Sequence, residues 1–141
     1  FELTWNTAFR DTMLACGEDR SDGTWITDGM LDAYEVLHEQ GRAHSLEVWR
    51  QGRLVAGTYG VQVGGLFAAE SKFHRERDLS MVAFVSLARV LGVAGIELID
   101  VQFWTEHLAQ FGVVEITRDE YVAEVARLRD RDVDLTSVPL R

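Results

Sequence analysis

The sequence has little cysteine, little positive charge and no long apolar run. Its 141 residues hold one cysteine, Cys16, so no internal disulfide can form and no multi-cysteine zinc site exists. A single thiol suits a reducing compartment, and a cytoplasmic location is expected. Cys16 sits in "TMLACG" at an apolar helical spacing and reads as a small buried hydrophobe. Lys and Arg number 14 against 23 acids, for a net charge of -9. That balance speaks against broad contact with nucleic-acid phosphates, which needs clustered bases, but it leaves room for a small site gripping one nucleotide. The basic groups Arg42, Arg50 and Arg53, and Lys72, His74, Arg75 and Arg77, read as solvated surface charge. No apolar run reaches about 18 residues, so no membrane span is expected. "FELTWNTAFR" lacks a basic region followed by an apolar one, so no signal peptide is expected.

Several motifs are missing as well. No nucleotide-binding glycine loop is present: "YGVQVGGLF" reads as strand and hairpin, with no helix following as such a loop requires. His38, His44, His74 and His107 are scattered, without metal-ligand spacing, so no metal site is expected. No Ser, His and Asp constellation stands out.

What is present is a well-patterned globular chain. Hydrophobic residues make up 47%, which argues against disorder and for one domain over residues 1–141. "NTAFRDTMLACG" has helical apolar spacing. Thr27 can cap a second helix to about Gln40, with Gly41 suited to its end. "AHSLEVW", "LVAGTYGVQV" and "LFAAES" read as three antiparallel strands, with Gly64-Gly65 as a tight hairpin. Asp78 can cap a long apolar helix, "LSMVAFVSLARVLGVAG", which then serves as a crossover making the next strand parallel to the third. Thr105 can cap a short helix that Gly112 closes, and Thr117 with Glu120 has capping-box spacing. The tail "DVDLTSVPLR" has no periodicity and reads as loose. The order gives an α+β fold with helices packed on an open, mostly antiparallel sheet.

"LIDVQFWTEH", residues 98–107, stands out chemically. It reads as an apolar, central strand, and on a strand Asp100 and Gln102 share one face. A buried acid needs a partner or a use. On pattern alone a hydrogen-bonded structural aspartate and a reactive one remain open. Glu70 ends an apolar strand, where solvent exposure is the plain reading. Trp25, in "DGTWIT", suits either core packing or stacking on a ligand ring.

Taken in order, "GTWIT", "AYEVLHEQGRAHSLEVW", "AGTYG", "AAESKF", "LIDVQ", then "EH", "FG" and "ITRDEY" resemble the leucyl/phenylalanyl-tRNA-protein transferase family. The likeness runs from about Phe1 to Leu128. It implies an acetyltransferase-like (GNAT-type) fold and an aminoacyltransferase that uses no cofactor. Its partners would be the aminoacyl-adenosine end of a charged tRNA and the amino terminus of an acceptor protein, with no membrane. By resemblance, Gln102 orients the reacting groups, Asp100 holds Gln102 or polarises the amine, and Glu70 helps position them. Trp25 and Tyr34 match aromatic positions of the adenosine and aminoacyl site. Thr58, Phe67, Leu87 and Leu91 fall where the family builds its apolar amino-acid pocket.

The chain also departs from the family pattern. The family's amino-terminal Phe-Pro-Trp-type motif has no counterpart before Phe1. Thr58 stands where a bulkier apolar residue is common, Leu87 where some members carry an aromatic, Met81 where Lys is usual, and Val101 in place of the Cys of "IDCQ". Two further readings follow: a shortened relative that aminoacylates a small-molecule amine, and a non-catalytic binding module.

Overall fold

In the computed structural model, residues 1–18, 26–102, 106–138 and 140 are described. Among the described residues ten elements follow one another: β1 (Glu2–Trp5), α1 (Phe9–Glu18), α2 (Asp28–Glu39), β2 (Ala43–Arg50), β3 (Arg53–Val63), β4 (Leu66–His74), α3 (Leu79–Ala94), β5 (Leu98–Asp100), α4 (Glu106–Ala109) and α5 (Arg118–Leu128). One five-stranded sheet runs in sequence order from β1 to β5. The first three pairings are antiparallel, while β4 and β5 are parallel. The long helix is thus the crossover that its length and apolar character predict.

Strand alternation explains why helices cover both faces. On β3, Ala56 and Tyr59 have opposite parity and so point to opposite faces. Ala56 joins Leu46, Val48 and Phe67 beneath Ala83, Leu87, Val90 and Leu91 of α3. Tyr59 joins Phe73 beneath Phe9 and Met13 of α1 and Leu31 of α2. Its ring meets Phe9 and Tyr34 edge to face, at 5.9 and 5.8 Å. Cys16 lies buried in this second cluster.

The helix ends follow their residues in most cases. The Thr27 hydroxyl accepts the Met30 N–H at 3.1 Å, and Thr117 with Glu120 forms the reciprocal capping box. Gly95 ends α3 with φ 112°, donating to Leu91 O at 3.1 Å. Asp78 departs from expectation: it precedes α3 with φ 75° and makes no side-chain cap bond.

Three expectations are revised. Glu2–Trp5 forms an edge strand that four residues of alternation are too short to announce. β5 is a three-residue edge strand rather than a long central one, because the chain leaves the sheet after Asp100. The tail is docked: Leu135 is 1% exposed, its carbonyl accepts the Trp5 indole N–H at 2.7 Å, and Val133 O accepts from Gln62 at 2.6 Å. Isolated apolar residues without a period can still fill gaps in a core built by other elements. Thr105 lies outside the described residues. Among the described residues no helix is long and apolar enough to cross a membrane.

Candidate active site

Parallel pairing puts Ala68 of β4 beside Asp100 of β5. Two local irregularities then bring polar side chains together. The first is a bulge in β4. Tyr59 pairs with Ser71 and Gly60 with Ala69, so Glu70 is the extra residue with no partner on β3. A bulge of this kind re-aims its side chain. Glu70 points toward the end of β5, where its Oε2 accepts the side-chain amide of Gln102 at 3.4 Å.

The second irregularity is Gln102 itself. It lies just past β5 with φ 72°, in the left-handed region that a side chain enters at a cost of about 1–2 kcal/mol. Its backbone N–H donates to Asp100 Oδ1 at 2.7 Å, a side-chain-to-backbone closure of the turn. The other carboxylate oxygen, Oδ2, accepts the Tyr121 hydroxyl of α5 at 2.8 Å. That bond, followed by burial, pushes the Tyr121 phenol above its ordinary range. Asp100 and Gln102 therefore meet through a turn and not through the shared face of a continuous strand. Tyr121 escaped the sequence reading because nothing local connects "ITRDEY" to the end of β5.

Two hollows adjoin this group. A cavity of about 250 Å³ is lined by Thr58, Ala69, Glu70, Ser71, Lys72, Phe84, Leu87, Val101 and Leu108. The Thr58 hydroxyl is engaged within the wall, donating to Ser71 O at 2.9 Å. Lys72 rests its ammonium 5.7 Å from the centre of the Phe84 ring, and burial pulls its titration down. A groove of about 940 Å³ runs along β5 and α3 to α5, past Asp100, Gln102, Phe111, Ile116 and Tyr121. Phe84 and Val101 line both hollows, while Gln102 lines the groove.

The residues singled out from sequence divide accordingly. Glu70, Asp100 and Gln102 converge. Thr58 and Leu87 line the smaller cavity, together with Glu70. Phe67 and Leu91, each 0% exposed, belong to the core cluster that includes Leu87 rather than to the cavity wall. Tyr34 packs on Tyr59 among the residues of α1 and α2; burial, then the Glu70 charge, raises its phenol, which ties it electrostatically to the site. Trp25 lies outside the described residues.

Comparison with known proteins places this geometry in context. Residues 1–126 match the family profile described as leucyl/phenylalanyl-tRNA protein transferase. A leucyl/phenylalanyl-tRNA–protein transferase of Herpetosiphon aurantiacus is 50% identical over 121 residues, covering 86% of this chain and 62% of that protein. Its namesake in Thiobacillus denitrificans is 49% identical over 130 residues, covering 91% and 57%. The chain thus spans about three fifths of the length of the curated relatives it matches. Among solved structures, an aminoglycoside acetyltransferase from a soil metagenome superposes with a TM-score of 0.58 at 16% identity, covering 83% of this chain and 95% of that one. A ribosomal-protein-alanine N-acetyltransferase of Brucella melitensis gives 0.54 at 13% identity, covering 84% and 93%. These two likenesses establish the acetyltransferase-like fold.

Proposed function

Because the chain belongs to the leucyl/phenylalanyl-tRNA protein transferase family, we propose that it carries the reacting centre of an aminoacyl-tRNA-dependent aminoacyltransferase. The reaction joins a Leu- or Phe-like amino acid to the amino terminus of an acceptor protein. The observation that carries this reading is the convergence of Asp100, Gln102 and Glu70, with Glu70 lining the smaller, largely apolar cavity and Asp100 and Gln102 lining the groove.

The chemistry asks little of the protein. The amino acid arrives as an activated ester on ribose. The acceptor amine attacks the ester carbonyl, the bond to the ribose oxygen breaks, and the amine proton leaves as the ribose hydroxyl regains one. Holding the two reactants in line supplies up to about 7–11 kcal/mol of the barrier. The cavity bounded by Thr58, Leu87 and Phe84 takes the apolar side chain. The Gln102 amide, held by Glu70 on one side and by its backbone link to Asp100 on the other, orients the amine and the carbonyl. An amide donor aimed at the developing oxyanion is worth about 2.7–4 kcal/mol. Asp100, with both oxygens accepting, acts as a fixed negative centre beside the amine.

The test is transfer of radiolabelled leucine from charged tRNA to a peptide with amino-terminal Arg or Lys. Transfer that depends on both the tRNA and the peptide supports the reading. No transfer by the folded protein, with several charged tRNAs, refutes it.

A further inference from the structure

After Asp100 the chain has left the sheet, so no strand pairing holds Gln102. Gln102 is exposed and strained at φ 72°. Its backbone is tied down by the 2.7 Å bond to Asp100 Oδ1. That tie is only as firm as the Asp100 carboxylate, whose terminal torsion is intrinsically broad. The second oxygen is fixed from a different element, by the Tyr121 hydroxyl at 2.8 Å. Tyr121 is itself well placed. It sits in the first turn of α5, where the Thr117–Glu120 capping box sets the start of the helix and the Tyr121 N–H donates to Thr117 O at 2.9 Å.

We infer that Tyr121 is a positioning residue for the transfer reaction. Its hydroxyl locks the Asp100 carboxylate, the carboxylate locks the left-handed backbone of Gln102, and the Gln102 side-chain amide is thereby held beside Glu70. The inference rests on Asp100 and Gln102 being the reacting centre. It adds that α5, distant in sequence, sets their geometry. It also assigns Asp100 a holding role: each of its oxygens accepts from a donor of the protein, so the carboxylate anchors the turn that carries Gln102.

The experiment compares the wild-type chain with Tyr121→Phe, which keeps the ring and removes only the hydroxyl. Expected are an unchanged Tm, a KM for aminoacyl-tRNA within about twofold, and a kcat lower by about ten- to a hundredfold, the scale of a small misplacement of a reacting group. In the same variant, NMR hydrogen exchange of the Gln102 amide accelerates about tenfold, equivalent to the loss of one modest hydrogen bond. Adding Asp100→Asn to Tyr121→Phe costs no more than Asp100→Asn alone, because the two act in one chain. A kcat within twofold of wild type, or an unchanged Gln102 exchange rate, overturns the inference. If the wild type transfers nothing, the proposed function fails by itself, and the Gln102 exchange rate still decides the Tyr121 link. Should Tyr121→Phe not fold, the Tyr121 ring carbon is titrated in Asp100→Asn, where it must shift to lower pH; no shift overturns the link.

Discussion

The Gln102 side chain donates to Glu70 Oε2 at 3.4 Å, joining the end of an edge strand to a bulge in its neighbour. The bond is long, so its role is to restrain Gln102 and adds little to stability. Glu70→Ala is expected to leave Tm within about 2 °C, since the side chain is only half-buried and a surface change is worth about 0.5 kcal/mol or less. The same change is expected to lower kcat about tenfold by freeing the amide. Steady-state transfer kinetics beside a thermal melt check both outcomes. A fall in Tm that accounts for the lost activity would make Glu70 structural.

The cavity wall makes a second prediction. Leu87 is 2% exposed and lines the 250 Å³ hollow. Leu87→Phe fills part of that space, so a bulky aminoacyl group loses more room than a smaller one. The ratio of kcat/KM for leucyl over phenylalanyl transfer is expected to rise about tenfold or more, the scale of about 1–3 kcal/mol per methylene-sized misfit. Competition between the two charged tRNAs reads this directly. An unchanged ratio would place the amino-acid pocket elsewhere.

Glu47 gives a prediction about pH. It is fully buried on β2, where its Oε1 accepts the N–H groups of Thr7 and Ala8 at 2.7 and 2.5 Å, just before α1. Burial outweighs these bonds and raises its pKa from 4.5 to about 7. The folded chain therefore holds this proton more tightly than the unfolded one. The stability it contributes is complete below about pH 4.5 and is lost as pH rises through 7. The loss amounts to about 3 kcal/mol. Glu47→Gln has no such titration, so its urea-unfolding free energy is expected to fall less between pH 5 and pH 8 than that of the wild type. Equal slopes would contradict the assignment.

Particular residues mark how far the sequence could be read. The Thr27 and Thr117 caps, the Gly64-Gly65 hairpin and the parallel crossover were legible because each depends on residues within a few positions or on one long apolar run. Glu70, Asp100 and Gln102 were found through ordered motifs, but their arrangement was not. Alternation along residues 98–102 gives Asp100 and Gln102 a common face, whereas the chain turns after Asp100 and joins them through a backbone N–H. The Glu70 bulge follows from the register of β3 against β4, a non-local quantity that β4 alone does not encode. Tyr121 and the docked tail escaped for the same reason: both act through contacts with residues far along the chain.

We propose Asp100 and Gln102 as the reacting centre of an aminoacyl transfer. The most direct measurement is single-turnover transfer of labelled leucine from charged tRNA to an amino-terminal Arg peptide, by the wild type, Asp100→Asn and Gln102→Ala. Each variant is expected to stay folded and bind the charged tRNA, while its transfer rate falls about 10²- to 10³-fold, the scale of a lost oxyanion donor or a misplaced reacting group. Wild-type rates in folded Gln102→Ala and Asp100→Asn would contradict it.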